Sequence, residues 1–470
     1  MTFGCNLFCT FAKENQYSLT MMKIKKIVLL FTLAAFCLQG LAQAQYRDKY
    51  KVKKKDTLYG IAQQYNISVD ALIDANPEMK VAGYQLKKGD VVLIPFASAQ
   101  TPVIKDSKSS TVSAKGIFAG KTVHVGVMLP IHDVDGDGRR MTEYYRGMLM
   151  ACDSLRAQGM NIDIHAWNVN IDADITSFMK DPAAGKCDVI FGPLYTKQVH
   201  ALAEFCRARD IKLVIPFSIS GDDVSLYKQI FQVYETNDRL TNSSIESFLN
   251  RFPNARPVFI DCNDKTSNKG GFTFGLRTRL ESKNIKYGIT NLNSSDDLFA
   301  KQFSTTQQNV VVLNSARSPE LTQTIRKLET LRAYNPGIRI TLFGYTEWMM
   351  YLGIDEQKFH SFDAYIPSTF YYNPSDPRTK ALTQNYVRWF HTDMQQALPR
   401  FAITGYDHAQ FFLRGIATYG KAFKGTKGQS TYKPLQAPLM FKQVSTAGMQ
   451  NDFFQLVHFL ANGNVEAITY

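Results

Sequence analysis

Apolar positions along this chain follow two different rhythms, one compact and one long. The compact one runs from Tyr50 to Pro95. A short alternating run, Tyr50 and Val52, leads into Asp56-Thr57-Leu58. Apolar residues then recur at Leu58, Ile61, Ala62 and Tyr65, the spacing of one helix face. Val69, Leu72 and Ile73 predict a second helix. Asn76-Pro77 stops it, because a residue before proline is pushed out of the α region. Gly89-Asp90 then turns the chain into the strand Val91-Val92-Leu93-Ile94, which Pro95 ends. The predicted order is strand, helix, helix, strand.

From residue 121 onward the rhythm alternates between apolar runs and amphipathic segments. Runs at 122–129, 162–167, 187–191 and 211–215 predict strands, with helices at 140–158 and 196–209. A second series follows: helix 241–252, strand 257–261, helix 272–282, strand 310–313, helix 321–331 and strand 339–343. Strands that are apolar throughout are buried on both faces, so this alternation predicts α/β architecture with doubly wound parallel sheets. About 350 residues are enough for two lobes. Residues 97–120 are rich in Ser, Ala and Lys and predict a flexible linker.

The first 44 residues read as a signal peptide, with Met21 or Met22 as the start. Lys23, Lys25 and Lys26 precede an apolar run at 27–38, followed by the small-x-small site Ala42-Gln43-Ala44. Cys37 follows the bulky Phe36, where a lipoprotein signal places a small residue. No later apolar run reaches the roughly 18 residues of a membrane span. An exported protein of the periplasm or cell envelope is the expectation.

The formal charge of +13 is spread along the chain, densest at Lys51-Val-Lys-Lys-Lys55. That cluster reads either as attraction to an anionic surface or as a solvated strand edge. No nucleic-acid-binding motif is present, and export argues against that partner. Four cysteines follow the leader: Cys152, Cys187, Cys206 and Cys262. Export permits disulfides, but the spacing of these cysteines favours isolated buried thiols.

The compact module, residues 46–96, resembles the LysM domain. The matching positions are Tyr-x-Val at Tyr50, the Asp-Thr-Leu turn, Ile61-Ala62, Leu72, Asn76-Pro77, Lys88-Gly89-Asp90 and the closing Leu-Ile-Pro. Lys55 stands where the family usually has Gly. LysM domains bind N-acetylglucosamine-containing glycans, chiefly peptidoglycan. The resemblance implies a glycan site at the two turns: Asp56, Thr57, Leu58, Asn76 and Pro77.

The longer module resembles type I periplasmic binding proteins, the branched-chain amino-acid receptor class. The stretches DVIFGPLYTKQVHALAEFCRARDIKLVIPFS, FYYNPSDPRTKALTQNYVRWF and ITGYDHAQFFLRGI carry the likeness. It implies a first lobe at about 121–235 and 367–430, a second at about 236–366, and a tail at 431–470. Crossings are expected near Tyr234-Glu235 and Ile366-Pro367. A cleft ligand would meet Thr196, Ser218 and Ser220 from one lobe and Arg317 and Glu347 from the other. The other reading makes the first three helix caps and turn residues. The aromatic clamp frequent in the second lobe is replaced by DKTSNKGG at 264–271, and Glu347 is offset by about one residue. The same lobed fold also occurs without a small ligand, in an outer-membrane lipoprotein that activates penicillin-binding proteins.

Other chemistry is thin. Asp133-Val-Asp-Gly-Asp-Gly138 imitates the front of a calcium loop, but position twelve is Tyr144, so a polar, mobile loop is expected. The histidines lack zinc spacing and no cysteine has a hydrolase setting. His408 beside Asp407 reads as a helix N-terminal pair. Phe370-Tyr371-Tyr372 reads as a sugar platform or as hinge packing. No catalytic, metal or cofactor site is expected. The combination implies a wall-tethered scaffold or regulator of peptidoglycan metabolism that meets a cell-wall enzyme. The alternatives are a solute receptor for an amino acid, peptide or muropeptide, and, last, a peptidoglycan hydrolase.

Overall fold

The computed structural model describes residues 46–53, 56–65, 67–81, 84, 86–95, 117–217 and 221–470. The expected leader, Lys54, Lys55, most of the expected linker, Ser218 and Ser220 lie outside the described residues. The chain divides into two compact units, within 1–108 and 109–470.

In the first unit, β1 (Tyr46–Lys51) pairs antiparallel with β2 (Val91–Pro95). Between them lie α1 (Leu58–Gln64), α2 (Val69–Asp74) and a 3-10 turn at Pro77–Lys80. Ser68 caps α2, its Oγ accepting from the Ala71 N–H at 3.1 Å. Tyr50, Val52, Val92 and Ile94 turn inward onto Leu58, Ile61, Leu72 and Ile73, all buried. Period-two and period-3.6 apolar positions thus meet in one small core.

The second unit holds two seven-stranded sheets. The first lobe contains β3 (Thr122–Leu129), α3 (Gly136–Arg156), β4 (Asn161–Asn168), α4 (Ile175–Phe178), β5 (Val189–Phe191), α5 (Val199–Arg209), β6 (Lys212–Ile215), α6 (Asp223–Leu226) and β7 (Ile230–Gln232). The second contains α7 (Asn237–Arg251), β8 (Arg256–Asp261), α8 (Gly270–Ser282), β9 (Gly288–Asn291), α9 (Asp296–Ala300), β10 (Asn309–Leu313), α10 (Ser318–Tyr334), β11 (Ile340–Phe343), α11 (Leu352–Ser361) and β12 (Tyr365–Ser368). The chain then returns through α12 (Pro377–Phe390) and α13 (Phe401–Tyr419) to β13 (Phe441–Gln443) and β14 (Met449–Asn451), and ends in the hairpin β15 (Gln455–Phe459) and β16 (Val465–Thr469).

The strand orders are β13-β14-β7-β6-β5-β3-β4 and β16-β15-β12-β11-β10-β8-β9. The β3 to β7 and β8 to β12 ladders are all parallel. Strands such as Asn309–Leu313 are buried along their whole length, as doubly covered parallel strands must be. Antiparallel pairing is confined to the late strands at one edge of each sheet. The segment 431–470, expected only as a tail, supplies these strands, and its run FFQLVHFL contains the fully buried β15. Its β13 and β14 join the first sheet and its β15 and β16 the second.

The chain therefore passes between the sheets three times, at 233–236, 369–376 and 452–454. Ile366 and Pro367, where a crossing was expected, lie inside β12 and pair with Val457 and Leu456. The crossings are tied together by polar side chains. Gln450 donates to the carbonyls of Gln232 and Tyr234 at 3.3 and 3.2 Å, and Asn451 donates to Val233 O at 3.2 Å. Asp452 takes ion pairs from Arg239 and Lys442. Beside them the Oε2 of Glu235 is buried without a hydrogen-bond partner among the described residues. Burial pushes the Glu235 carboxyl up to about 7; Arg239 opposes the shift and Asp452 adds to it.

Helix α3 begins four residues before its expected start, because Asp135 Oδ1 accepts from the Gly138 N–H at 2.7 Å and caps it. The Asp133–Gly138 segment, expected as a mobile loop, contains that first helical turn. Helix α3 crosses α13 at glycine contacts. A Cβ on Gly147 would lie 1.8 Å from Ala402 O, and one on Gly405 would lie 2.0 Å from Tyr144 O. Near the crossing, Tyr144 Oη meets His408 Nδ1 at 2.9 Å. Asp407 accepts from Tyr432 Oη and from the backbone N–H groups of Leu435, Gln436 and Ala437 at 2.6 to 2.9 Å. Asp407 and His408 are thus buried in the body of α13 and are not an N-terminal pair. Burial drives His408 down to about 3, so it packs as a neutral ring.

Gly147→Ala should destabilise the second unit by on the order of 3 kcal/mol, because backbone faces the added methyl and cannot yield as a side chain can. Chemical denaturation followed by tryptophan fluorescence measures this, and a loss below about 0.5 kcal/mol would mean the helices separate freely.

The hinge yields a pH dependence. A carboxyl whose folded pKa is raised binds its proton more tightly in the folded chain. That stability is fully present below about pH 4 and is lost as pH rises through about 7. Urea denaturation across this range should show wild type losing on the order of 2 kcal/mol relative to Glu235→Gln. Parallel pH profiles for the two proteins would contradict a buried, unpaired carboxylate.

Candidate functional site

Two regions were marked by sequence: the turns of the small unit, and the loops at the carboxyl ends of the strands in the two lobes. At the turns, Asp56 Oδ2 accepts from Tyr50 Oη at 2.8 Å and from the Lys53 N–H at 2.7 Å. Thr57 Oγ1 accepts from the Gly60 N–H at 3.0 Å, which starts α1. Leu58 is a core side chain. Asn76 is fully buried: its Nδ2 donates to Leu72 O and Leu93 O at 2.7 and 2.8 Å, and its Oδ1 accepts from the Leu93 N–H at 2.7 Å. The Leu58 and Asn76 side chains are therefore withdrawn from the surface where a glycan contact was expected. Their residue types serve packing, and Asn76 also satisfies backbone groups that water cannot reach. Thr57 and Pro77 are exposed, one at each turn.

In the first lobe, Thr196 is exposed and opens the 3-10 turn Thr196–Gln198 that leads into α5. Gly192, just before it, has φ +127 and would place a Cβ 2.1 Å from Met128 O, so the close passage of the β5 loop over β3 requires glycine. The Asp137 carboxylate receives Arg140 and Tyr195 Oη, the latter at 3.2 Å.

In the second lobe the marked side chains are already engaged with their own neighbours. Glu347 Oε1 accepts from Lys269 Nζ at 2.5 Å, and that ammonium lies 4.9 Å from the Tyr345 ring centroid. Arg317 reaches Asp264 at 3.6 Å, Thr266 Oγ1 at 3.3 Å and Glu320 at 3.8 Å. Asp264 also accepts from Thr266 Oγ1 and Ser315 Oγ, both at 2.7 Å. Hydrogen bonds from Thr266 and Ser315, with Arg317 near, hold its carboxyl down to about 2. Asn314 donates to Asp261 at 2.9 Å and accepts from the Cys262 N–H at 2.8 Å. Loop 264–269, at the place of the expected aromatic clamp, is closed onto the turn after β10 and the turn after β11. Lys269, Asp264 and Ser315 carry this closure; the sequence reading marked the segment 264–271 but not these pairings, because only folding brings loops 50 to 80 residues apart together.

Phe370 and Tyr371 pack against the second-lobe core, and the Tyr371 N–H donates to Gln436 O at 2.9 Å. They belong to the second crossing. A polar group also outside the sequence reading joins the terminal hairpin to the sheet. His458 sits between Asp363 at 2.7 Å and Glu466 at 2.9 Å, with the Tyr365 ring stacked 3.9 Å away. Burial opposes its charge, and the two carboxylates outweigh burial and raise its pKa. All four described cysteines are free and buried, with thiols driven upward chiefly by burial. Among the described residues no helix is long and apolar enough to cross a membrane.

Residues 50–95 match the family model of the LysM domain. Residues 50–95 are therefore a LysM domain, and the second unit is an α/β fold built on two parallel-dominant sheets. Among solved structures it is similar to a protein assigned as a branched-chain amino-acid ABC transporter from Rhodospirillum rubrum. That match has 15% identity over 74% of this chain and 100% of the other, with a TM-score of 0.49. It is similar to an ABC transporter substrate-binding protein of Desulfitobacterium hafniense in complex with Leu (13% identity, 74% and 100% covered, TM-score 0.41). It is also similar to LpoA from Haemophilus influenzae at 12% identity over 75% of this chain and 59% of that one, with a TM-score of 0.48. No curated protein matches the sequence.

Asn76→Ala should destabilise the LysM domain by on the order of 3 kcal/mol, because it strands the Leu93 N–H. Thr57→Ala should cost about 1 kcal/mol, the loss of a cap. Amide exchange at Leu93 reads the first effect; unchanged protection there would show that Asn76 is dispensable.

Proposed function

We propose that this protein is an exported, non-catalytic component of the cell envelope, held on peptidoglycan by its LysM domain. Its two-lobed unit serves as a scaffold or regulator in cell-wall metabolism, with a wall-synthesising or wall-cleaving enzyme as its partner. The match of residues 50–95 to the LysM family carries the proposal. Thr57 and Pro77 are the side chains left exposed at the two turns and form the glycan contact.

The second lobe supports a scaffold over an amino-acid receptor. A receptor for a zwitterion needs a carboxylate free to take the ammonium, and Glu347 is already bonded to Lys269. Breaking that pair to admit a ligand leaves an ammonium without its partner, which offsets much of what the ligand would contribute. A tether to the wall also conflicts with the diffusion that a carrier needs.

The whole chain should co-sediment with purified peptidoglycan sacculi at about 0.15 M salt. Thr57→Ala with Pro77→Ala should weaken this about tenfold. Calorimetry with free amino acids should give no heat of binding. A folded protein that stays in the supernatant refutes wall anchoring. Saturable heat with an amino acid would replace the scaffold by a wall-tethered solute receptor.

A further inference from the structure

Strand β1 presents two unlike faces. Tyr50 and Val52 are buried toward the helices, while Lys49, Lys51 and Lys53 alternate with them and are exposed. The register sets Lys49 opposite Leu93 and Lys51 opposite Val91, so these residues share the outer face of the two-stranded sheet. Val91 there is 54% exposed. Residues two apart on a strand lie about 6.6 Å from each other, so the lysines form a line along the sheet, with Lys53 continuing it past the strand's end.

Nearby acids point their carboxylates at other groups than these lysines. Asp48 Oδ2 accepts from Tyr65 Oη at 3.1 Å, on the helix side. Asp56 is taken by Tyr50 Oη and the Lys53 N–H, and Asp90 by the Lys87 N–H at 2.8 Å. Among the described residues none of the three lysines has a carboxylate within ion-pair distance, whereas Lys80 in the same unit pairs with Asp74 at 2.8 Å. The ammonium groups of Lys49 and Lys53 lie 5.0 Å from the Tyr46 ring and 5.8 Å from the Tyr50 ring. The line is thus a row of ammonium groups without ion-pair partners among the described residues, on β1 and just past its end.

We propose that this sheet face is a second wall contact, which takes the carboxylates of peptidoglycan peptide stems and is separate from the glycan turns at Thr57 and Pro77. It rests on the peptidoglycan reading above. A one-dimensional row of ammonium groups at regular spacing suits anions carried along an extended polymer. A membrane surface calls instead for large apolar side chains between the cations, and Val91 and Leu93 are modest ones.

The test compares the whole chain with its Lys49→Gln/Lys51→Gln/Lys53→Gln variant, and with the triple Lys→Arg variant as a control for folding and charge. The probes are intact peptidoglycan, the same glycan after amidase removal of the peptide stems, and phosphatidylglycerol vesicles. On intact wall at about 0.01 M salt the Gln variant should bind about tenfold more weakly than wild type, and the difference should vanish near 1 M. The Arg variant should bind like wild type. On stem-free glycan wild type and Gln variant should bind alike. Equal binding of the two to intact wall at low salt overturns this proposal and leaves the glycan reading standing. Lysine-dependent binding to vesicles with no effect of stem removal also overturns it, in favour of a lipid surface. Failure of wild type to bind any wall preparation overturns the peptidoglycan reading itself.

Discussion

The two-lobed unit depends on the close crossing of α3 and α13. Gly147 faces the Ala402 carbonyl and Gly405 faces the Tyr144 carbonyl, so the two backbones meet where no side chain fits between them. The helices lie some 260 residues apart in sequence, with the five parallel strands of the second sheet inserted between them. Their contact obliges the chain to return after building those strands. Polar groups then close the return: Glu143 accepts from the Gln395 N–H at 2.7 Å, and Asp407 gathers the backbone N–H groups of 435–437. A buried carboxylate is tolerated there because backbone donors take the place of water.

The return does not end the path. After β14 the chain crosses again and adds the β15–β16 hairpin to the second sheet, so three strands of backbone link the lobes. Asp452, in the last crossing, is bonded to Arg239 of the second lobe's first helix and to Lys442 of the first lobe's edge strand. Motion of one lobe on the other therefore acts on this charge group, with Glu235 buried beside it. The second lobe's loops are closed by their own ion pairs, which makes their shape independent of a ligand.

Period and punctuation by themselves determined much of this protein. The βααβ order of the LysM domain follows from Leu58, Ile61 and Ala62 at helical spacing, the Asn76-Pro77 stop and the Gly89 turn. The parallel sheets follow from apolar runs such as Val310-Val-Val-Leu313. These signals are local, and burial on both faces leaves no other residue types in such strands. The charge cluster at Lys51 to Lys55 was equally visible. Its arrangement was not, because only the pairing with Val91 and Leu93 shows that the lysines share one face free of acids.

Tertiary structure alone decided the rest. Asn76 looked like a surface turn residue and is a core bracket between α2 and β2, since a polar side chain near a proline reads the same whether it faces water or backbone. His408 looked like a capping partner and is a neutral ring against Tyr144. Glu347 and Arg317 matched ligand positions, but Lys269 and Asp264 from a distant loop hold them. Strands β13 and β14 carry little apolar pattern of their own, whereas β15 lies in the apolar run FFQLVHFL; β14 and β15 find their places by pairing with the open edges of β7 and β12. Pairing partners far apart in sequence leave no periodic trace, so contacts of this kind exist only once the chain has folded.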